Sequence, residues 1–135
     1  MDDIGVEILF YKVNQKPGKP LLLAKMGKKL IFALPGNPAA SLTCYYVYVQ
    51  PAILAISGRY VMQHTTSQKT LLHDLDVSNS RAQLLKAVFD ENGVTILSHQ
   101  ESSMLRSFAI ANCLVYIKEG NYIIPQGSKV ETYVI

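Results

Sequence analysis

Between Leu30 and Gly58 the chain carries no charged residue, yet prolines stand at positions 35, 38 and 51 within that stretch. A run of this length would otherwise read as a spanning helix, but each proline removes a backbone donor and fixes φ, so the stretch fails as a membrane span. It reads instead as a strand, a turn and a helix. Leu30 to Leu34 is the strand and Pro35-Gly36 the turn. Asn37 is a suitable N-cap, and Pro38 falls at the first helical position, where a missing N–H costs nothing. Leu42, Tyr45, Tyr46, Val49, Ile53 and Ile56 recur at helical spacing. Pro51 is expected to kink or split this helix and Gly58 to end it.

A second apolar run, Val6 to Val13, precedes a loop with two prolines and a glycine, Asn14 to Pro20. Both runs are nearly continuous in apolar character, as strands buried on two faces are, so a partial parallel α/β sheet is expected over residues 1–62. Two strands and one helix are too few to cover such a sheet. Residues 63–69 read as a linker. From residue 70 to 135, strands are expected at Thr70–Val77, Ala82–Phe89, Val94–Leu97, Cys113–Lys118, Tyr122–Ile124 and Lys129–Ile135, with a helical turn between Ser102 and Asn112. That half reads as a small all-β, barrel-like domain.

The 135 residues are 49% hydrophobic and 17% charged, the composition of a chain that buries a core. The net charge of +3 is uneven: residues 1–69 carry +5 and the remainder −2. No basic run interleaved with aromatics appears, so nucleic acid is not the expected partner. Two cysteines and an acidic N-terminus without a signal-peptide pattern point to a reducing cytoplasm.

Three lysines, Lys12, Lys16 and Lys19, stand at the end of the first strand and in its loop. Ammonium groups suit phosphate or another tetrahedral oxyanion, and ligands of open parallel sheets bind beyond the carboxyl ends of strands. The Gly36-Asn37-Pro38 helix start is the second candidate, since free N–H groups and the helix dipole favour anions. Each is also satisfied by a bland reading, a solvated basic turn or an ordinary cap. Cys44 and Cys113 read as packing residues. His64, His73 and His99 lack ligand spacing, and Asp74 and Asp76 share one face of a strand.

Lys16-Pro17-Gly18-Lys19-Pro20, followed by Leu34-Pro35-Gly36-Asn37-Pro38-Ala39-Ala40-Ser41, strongly resembles the MoeA-type molybdopterin molybdenumtransferases, the family of the gephyrin E domain. Gln100-Glu101-Ser102 with Ala111-Asn112 resembles that family's C-terminal β domain, although Glu101 and Cys113 stand where it has glycines. The resemblance implies a C-terminal fragment of an enzyme that inserts molybdenum from molybdate into adenylylated molybdopterin and releases AMP. Mg²⁺ would assist, with its ligands mostly upstream of this chain, and the protein would be a homodimer. It implies catalytic roles for Lys12 and Lys16, and binding of the pterin substrate by Lys19, Pro35, Gly36, Asn37, Pro38, Ser41 and Ser102. A scaffold module and a stand-alone oxyanion-binding module of the same fold are the competing readings.

Overall fold

A computed structural model describes residues 5–59, 66–98, 100 and 105–135. Strands β1 (Glu7–Tyr11), β3 (Leu22–Met26) and β4 (Lys29–Ala33) form an antiparallel sheet in the order β1-β3-β4. Between β1 and β3 lies the two-residue strand β2 (Gln15–Lys16). The expected parallel sheet is therefore not formed by these strands. The sequence Leu22-Leu23-Ala24-Lys25-Met26, not foreseen as a strand, inserts between the two that were. A two-residue turn, Gly27-Lys28, joins it to β4, and glycine at the first turn position suits a type II′ hairpin. Nor are these strands buried on both faces. Leu30 and Ile31 are adjacent in the unbroken register of β4 and therefore point to opposite faces, yet both are exposed, as are Ile8 and Leu9 at the bulge in β1.

The helix begins where its cap predicts. Asn37 Oδ1 accepts a hydrogen bond from the Ala40 N–H at 3.1 Å, and Pro38 opens α1 (Pro38–Cys44). The helix then continues as a π-helical stretch (Tyr45–Val49) into α2 (Gln50–Ile56), 19 residues in all. Pro51 does not split it. The proline sits at the first turn of α2, and the wider π turn before it accommodates the lost donor. By length and composition alone the whole helix is long and apolar enough to cross a membrane. Ala39, Ala40, Thr43 and Cys44 are nevertheless buried within the fold. The end is a Schellman motif: the Arg59 N–H donates to Leu54 O and the Gly58 N–H to Ala55 O, with Gly58 at φ 70°.

Residues 66–69 of the expected linker belong to β5 (Thr66–Thr70). The expected strand 70–77 is broken at Leu71–Asp74, after which β6 (Leu75–Asn79) begins. β7 (Ala82–Phe89), β8 (Val94–Ile96), β9 (Cys113–Ile117), β10 (Gly120–Ile124) and β11 (Lys129–Val134) lie where the sequence predicts them. A 3₁₀ turn, Leu105–Ala109, fills the expected helical segment and lies against α1. The main sheet has the order β2-β7-β9-β11-β5, with β8 on β7, and β10 pairs with β6. Leu71, Val77, Ala87, Val94, Cys113, Val115, Ile117 and Val130 form one buried cluster inside these strands. All pairings are antiparallel except β2 with β7 and an isolated bridge from Leu71 to Val94.

Candidate functional site

The antiparallel sheet still brings the two motifs together. Tyr11, Leu22 and Ala33 are in register across β1, β3 and β4, so β1 and β4 run in one direction and end at the same edge of the sheet. The loop after β1 carries the lysines, and the turn after β4 carries Pro35-Gly36-Asn37. Two backbone bonds close the lysine loop: the Lys12 N–H donates to Leu21 O and the Val13 N–H to Lys19 O, each at 2.9 Å.

Between them lies a cavity of about 290 Å³ lined by Gln15, Lys16, Gly18, Lys19, Pro35, Gly36, Asn37, Ala40 and Arg81, with Pro17 and Pro20. Arg81 comes from the other half of the molecule. The parallel pairing of β2 with β7 sets Gln15 opposite Ala82 and Lys16 opposite Gln83, which brings Arg81 to the mouth. Among the described residues three cations and no carboxylate line this cavity, an arrangement that attracts an oxyanion. A polar cavity of about 220 Å³, lined by Lys16, Ser78, Asn79, Ser80, Arg81 and Gln83, adjoins it.

Of the residues singled out in the sequence, Lys16, Lys19, Pro35, Gly36 and Asn37 line the cavity. Ser41 does not, but its hydroxyl donates to Pro35 O and so fixes the turn. Pro38 shapes the helix start only. Lys12 stands outside, its Nζ 5.0 Å from the centre of the Tyr11 ring, with a left-handed backbone at φ 68°. Ser102 lies outside the described residues. Arg81 went unrecognised because only the β2–β7 pairing brings it here. Arg81 lies between the expected strands 70–77 and 82–89, where no local pattern marks it.

Behind the cavity is a buried polar contact that the sequence did not reveal. Ala40, Cys44 and Tyr48, spaced by four, present one helix face to the lysine loop. Gln15, 4% exposed, accepts from the Tyr48 hydroxyl through Oε1 and donates from Nε2 to Pro17 O at 3.0 Å. The Cys44 thiol donates to Gly18 O at 3.8 Å. Gly18 has φ 97°, and a Cβ there would stand 2.5 Å from Cys44 Sγ. Burial pushes the Cys44 thiol up to about 11. Burial, with the neighbouring Cys44 and Tyr116, pushes the Tyr48 phenol up to about 12, so both remain protonated donors near neutrality. Among the described residues no three His, Cys, Asp or Glu side chains come together as a metal site. His73 accepts from the Ile96 N–H at Nε2, which leaves Nδ1 to donate to Asp74 O, a structural role.

Residues 68–135 match the MoeA C-terminal region (domain IV), and residues 3–55 match the probable molybdopterin binding domain. The chain belongs to the MoeA family. It is 30% identical over 132 residues to a molybdopterin molybdenumtransferase of Staphylococcus epidermidis, covering 95% of this chain and 32% of that one. The corresponding Staphylococcus aureus protein is 28% identical over the same length, again covering 32% of the relative. This MoeA-family chain thus spans about a third of the relatives it matches. Among solved structures, a molybdopterin biosynthesis MoeA protein of Pyrococcus horikoshii superposes with a TM-score of 0.73 at 27% identity, covering 98% of this chain and 33% of the other. A molybdenum cofactor biosynthesis protein of Pyrococcus furiosus shares the fold alone, with a TM-score of 0.76 at 17% identity, over 96% of this chain and 46% of the other.

Proposed function

We propose that this chain supplies the oxyanion-binding part of a molybdopterin molybdenumtransferase. One observation carries the reading: both proline-glycine motifs and Arg81 meet at a single cavity that, among the described residues, has three cationic residues and no acidic one. Molybdate, or the pyrophosphate link of adenylylated molybdopterin, is the class of anion such a wall suits. Lys16, Lys19 and Arg81 hold its charge, and the pre-organised turn at Pro35, Gly36 and Asn37 forms the opposite wall. Molybdenum passes from molybdate to the dithiolene of the pterin, and AMP is released. Lys12 contributes long-range charge from outside the cavity, and Ser102 acts from the β half. Residues 1–62 are read as part of the pterin-binding domain and residues 70–135 as the C-terminal β domain, in a cytoplasmic homodimer.

Mg²⁺ does not fit the described residues, because a hard cation requires oxygen ligands and no carboxylate lines the cavity. No step here is routed through it. The test is molybdate-dependent AMP release by the intact gene product. Lys16→Ala and Arg81→Ala are each expected to lower the rate at least about tenfold. Wild-type rates in both variants would remove the site from this cavity.

A further inference from the structure

Lys16 and Lys19 stand among Pro17, Gly18 and Pro20, and the lysine loop has no regular secondary structure beyond β2, so something else must hold its ammonium groups in place. Backbone closure at Lys12–Leu21 and Val13–Lys19 fixes the base of the loop. Its tip, Lys16 to Gly18, is held from beneath by the helix. Gln15 uses both ends of its amide there: Oε1 takes the Tyr48 hydroxyl, while Nε2 reaches Pro17 O at 3.0 Å and approaches Cys44 Sγ at 3.9 Å. The residue that immediately follows Gln15 is Lys16. Tyr48 belongs to the π-helical stretch, and such wide turns concentrate at functional sites.

We propose that Tyr48 and Gln15 are positioning residues, and that their hydrogen-bonded lock between the helix and the lysine loop sets where Lys16 and Lys19 stand and hence how tightly the cavity holds an oxyanion. The proposal rests on the oxyanion reading of that cavity. Nothing in Tyr48 need touch the ligand, because it does not line the cavity. Its hydroxyl is a reliable donor throughout the neutral range, being far from ionisation. Cys44 and Gly18 are the steric part of the same lock, since only a residue without a Cβ lets the loop settle on the thiol.

The experiment uses the full 135-residue chain and two readouts. The first is molybdate affinity by titration calorimetry for the wild type, Tyr48→Phe, Lys16→Ala and the double variant. Loss of one hydrogen bond corresponds to a weakening of about threefold to tenfold in Tyr48→Phe. In the Lys16→Ala background the same change is expected to have little further effect, because the cation that Tyr48 positions is gone. An additive double variant, or wild-type affinity in Tyr48→Phe beside a weakened Lys16→Ala, overturns the proposal. The second readout needs no ligand: hydrogen exchange at the Val13 amide, which closes the loop. Tyr48→Phe is expected to raise its rate at least about threefold, with the exchange of Ala87 and Val115 in the β core unchanged. Unchanged exchange at Val13 also overturns the lock. A wild-type chain that does not bind molybdate sinks the oxyanion reading, and the exchange rates then decide the lock by themselves.

Discussion

The three-stranded sheet and the β core are built from similar residues and end in opposite states. β1 and β4 are apolar at four of five positions and β9 at all five, yet β1 exposes Ile8, Leu9 and Tyr11, whereas Cys113, Leu114 and Val115 of β9 are fully buried. Composition does not separate them. Position in the sheet does: β9 has neighbours on both sides, β7 and β11, and β6, β8 and β10 supply residues to the cluster it faces. Sheet β1-β3-β4 has no such second layer among the described residues. Burial is a property of what lies opposite a strand, and an apolar strand only offers it.

The sharpest way to break this comparison is a matched truncation. Ile117→Ala, in the buried cluster, is expected to cost about 2–5 kcal/mol in urea unfolding, against less than about 1 kcal/mol for Ile31→Ala on the open sheet. An equal cost would mean that the open face is covered in solution. The thiols give the next effect. Burial pushes both Cys44 and Cys113 up to about 11 in the folded state, from 9.0 otherwise, with Lys69 partly offsetting this at Cys113. A raised folded value means that the stability is fully present below pH 9 and is lost as pH climbs towards 11, because only the unfolded chain releases its proton in that window. Each thiol should account for about 3 kcal/mol. Cys44→Ala and Cys113→Ala should each flatten the alkaline fall in the urea midpoint, and equal flattening would show that the loop–helix contact excludes water as well as the β core does.

Smaller changes sharpen the boundary between the two regions. Asn37→Ala removes the helix cap and is expected to cost about 1 kcal/mol, read as a lower thermal midpoint, with no change in hydrogen exchange at Val115. Glu7→Gln removes an ion pair with Lys25 of 3.0 Å whose side chains are 44% and 63% exposed. Its expected effect is below about 0.5 kcal/mol, and it should vanish in high salt.

Legibility in the sequence followed the locality of the signal. The helix start at Asn37-Pro38 and its end at Gly58 were readable because capping involves neighbours within five residues. Strand β7 was readable for its full length, since Ala82–Phe89 is bounded by turn residues on both sides. The parallel reading of β1 and β4 failed because Leu22–Met26 was missed, and one unrecognised strand between two others changes their relation. The strand 70–77 was too long because Leu71 pairs with Val94 as a single bridge before the chain turns. Within the site, Lys16, Lys19 and the Pro35-Gly36-Asn37 turn were visible as motifs. Arg81, Gln15 and Tyr48 were not, because each owes its place to a partner more than 30 residues away.

By itself, then, the sequence determined the cap, the turns, the strands of the second half and the two motifs that mark the family, all of which depend on local backbone preference and short spacing. Only the tertiary structure decided the sheet order, which apolar strands are covered, the arrival of Arg81 beside Lys16 and the support of the lysine loop by Tyr48. Those depend on register between distant segments, and a register is fixed by the packing of whole faces, which no short stretch of residues contains.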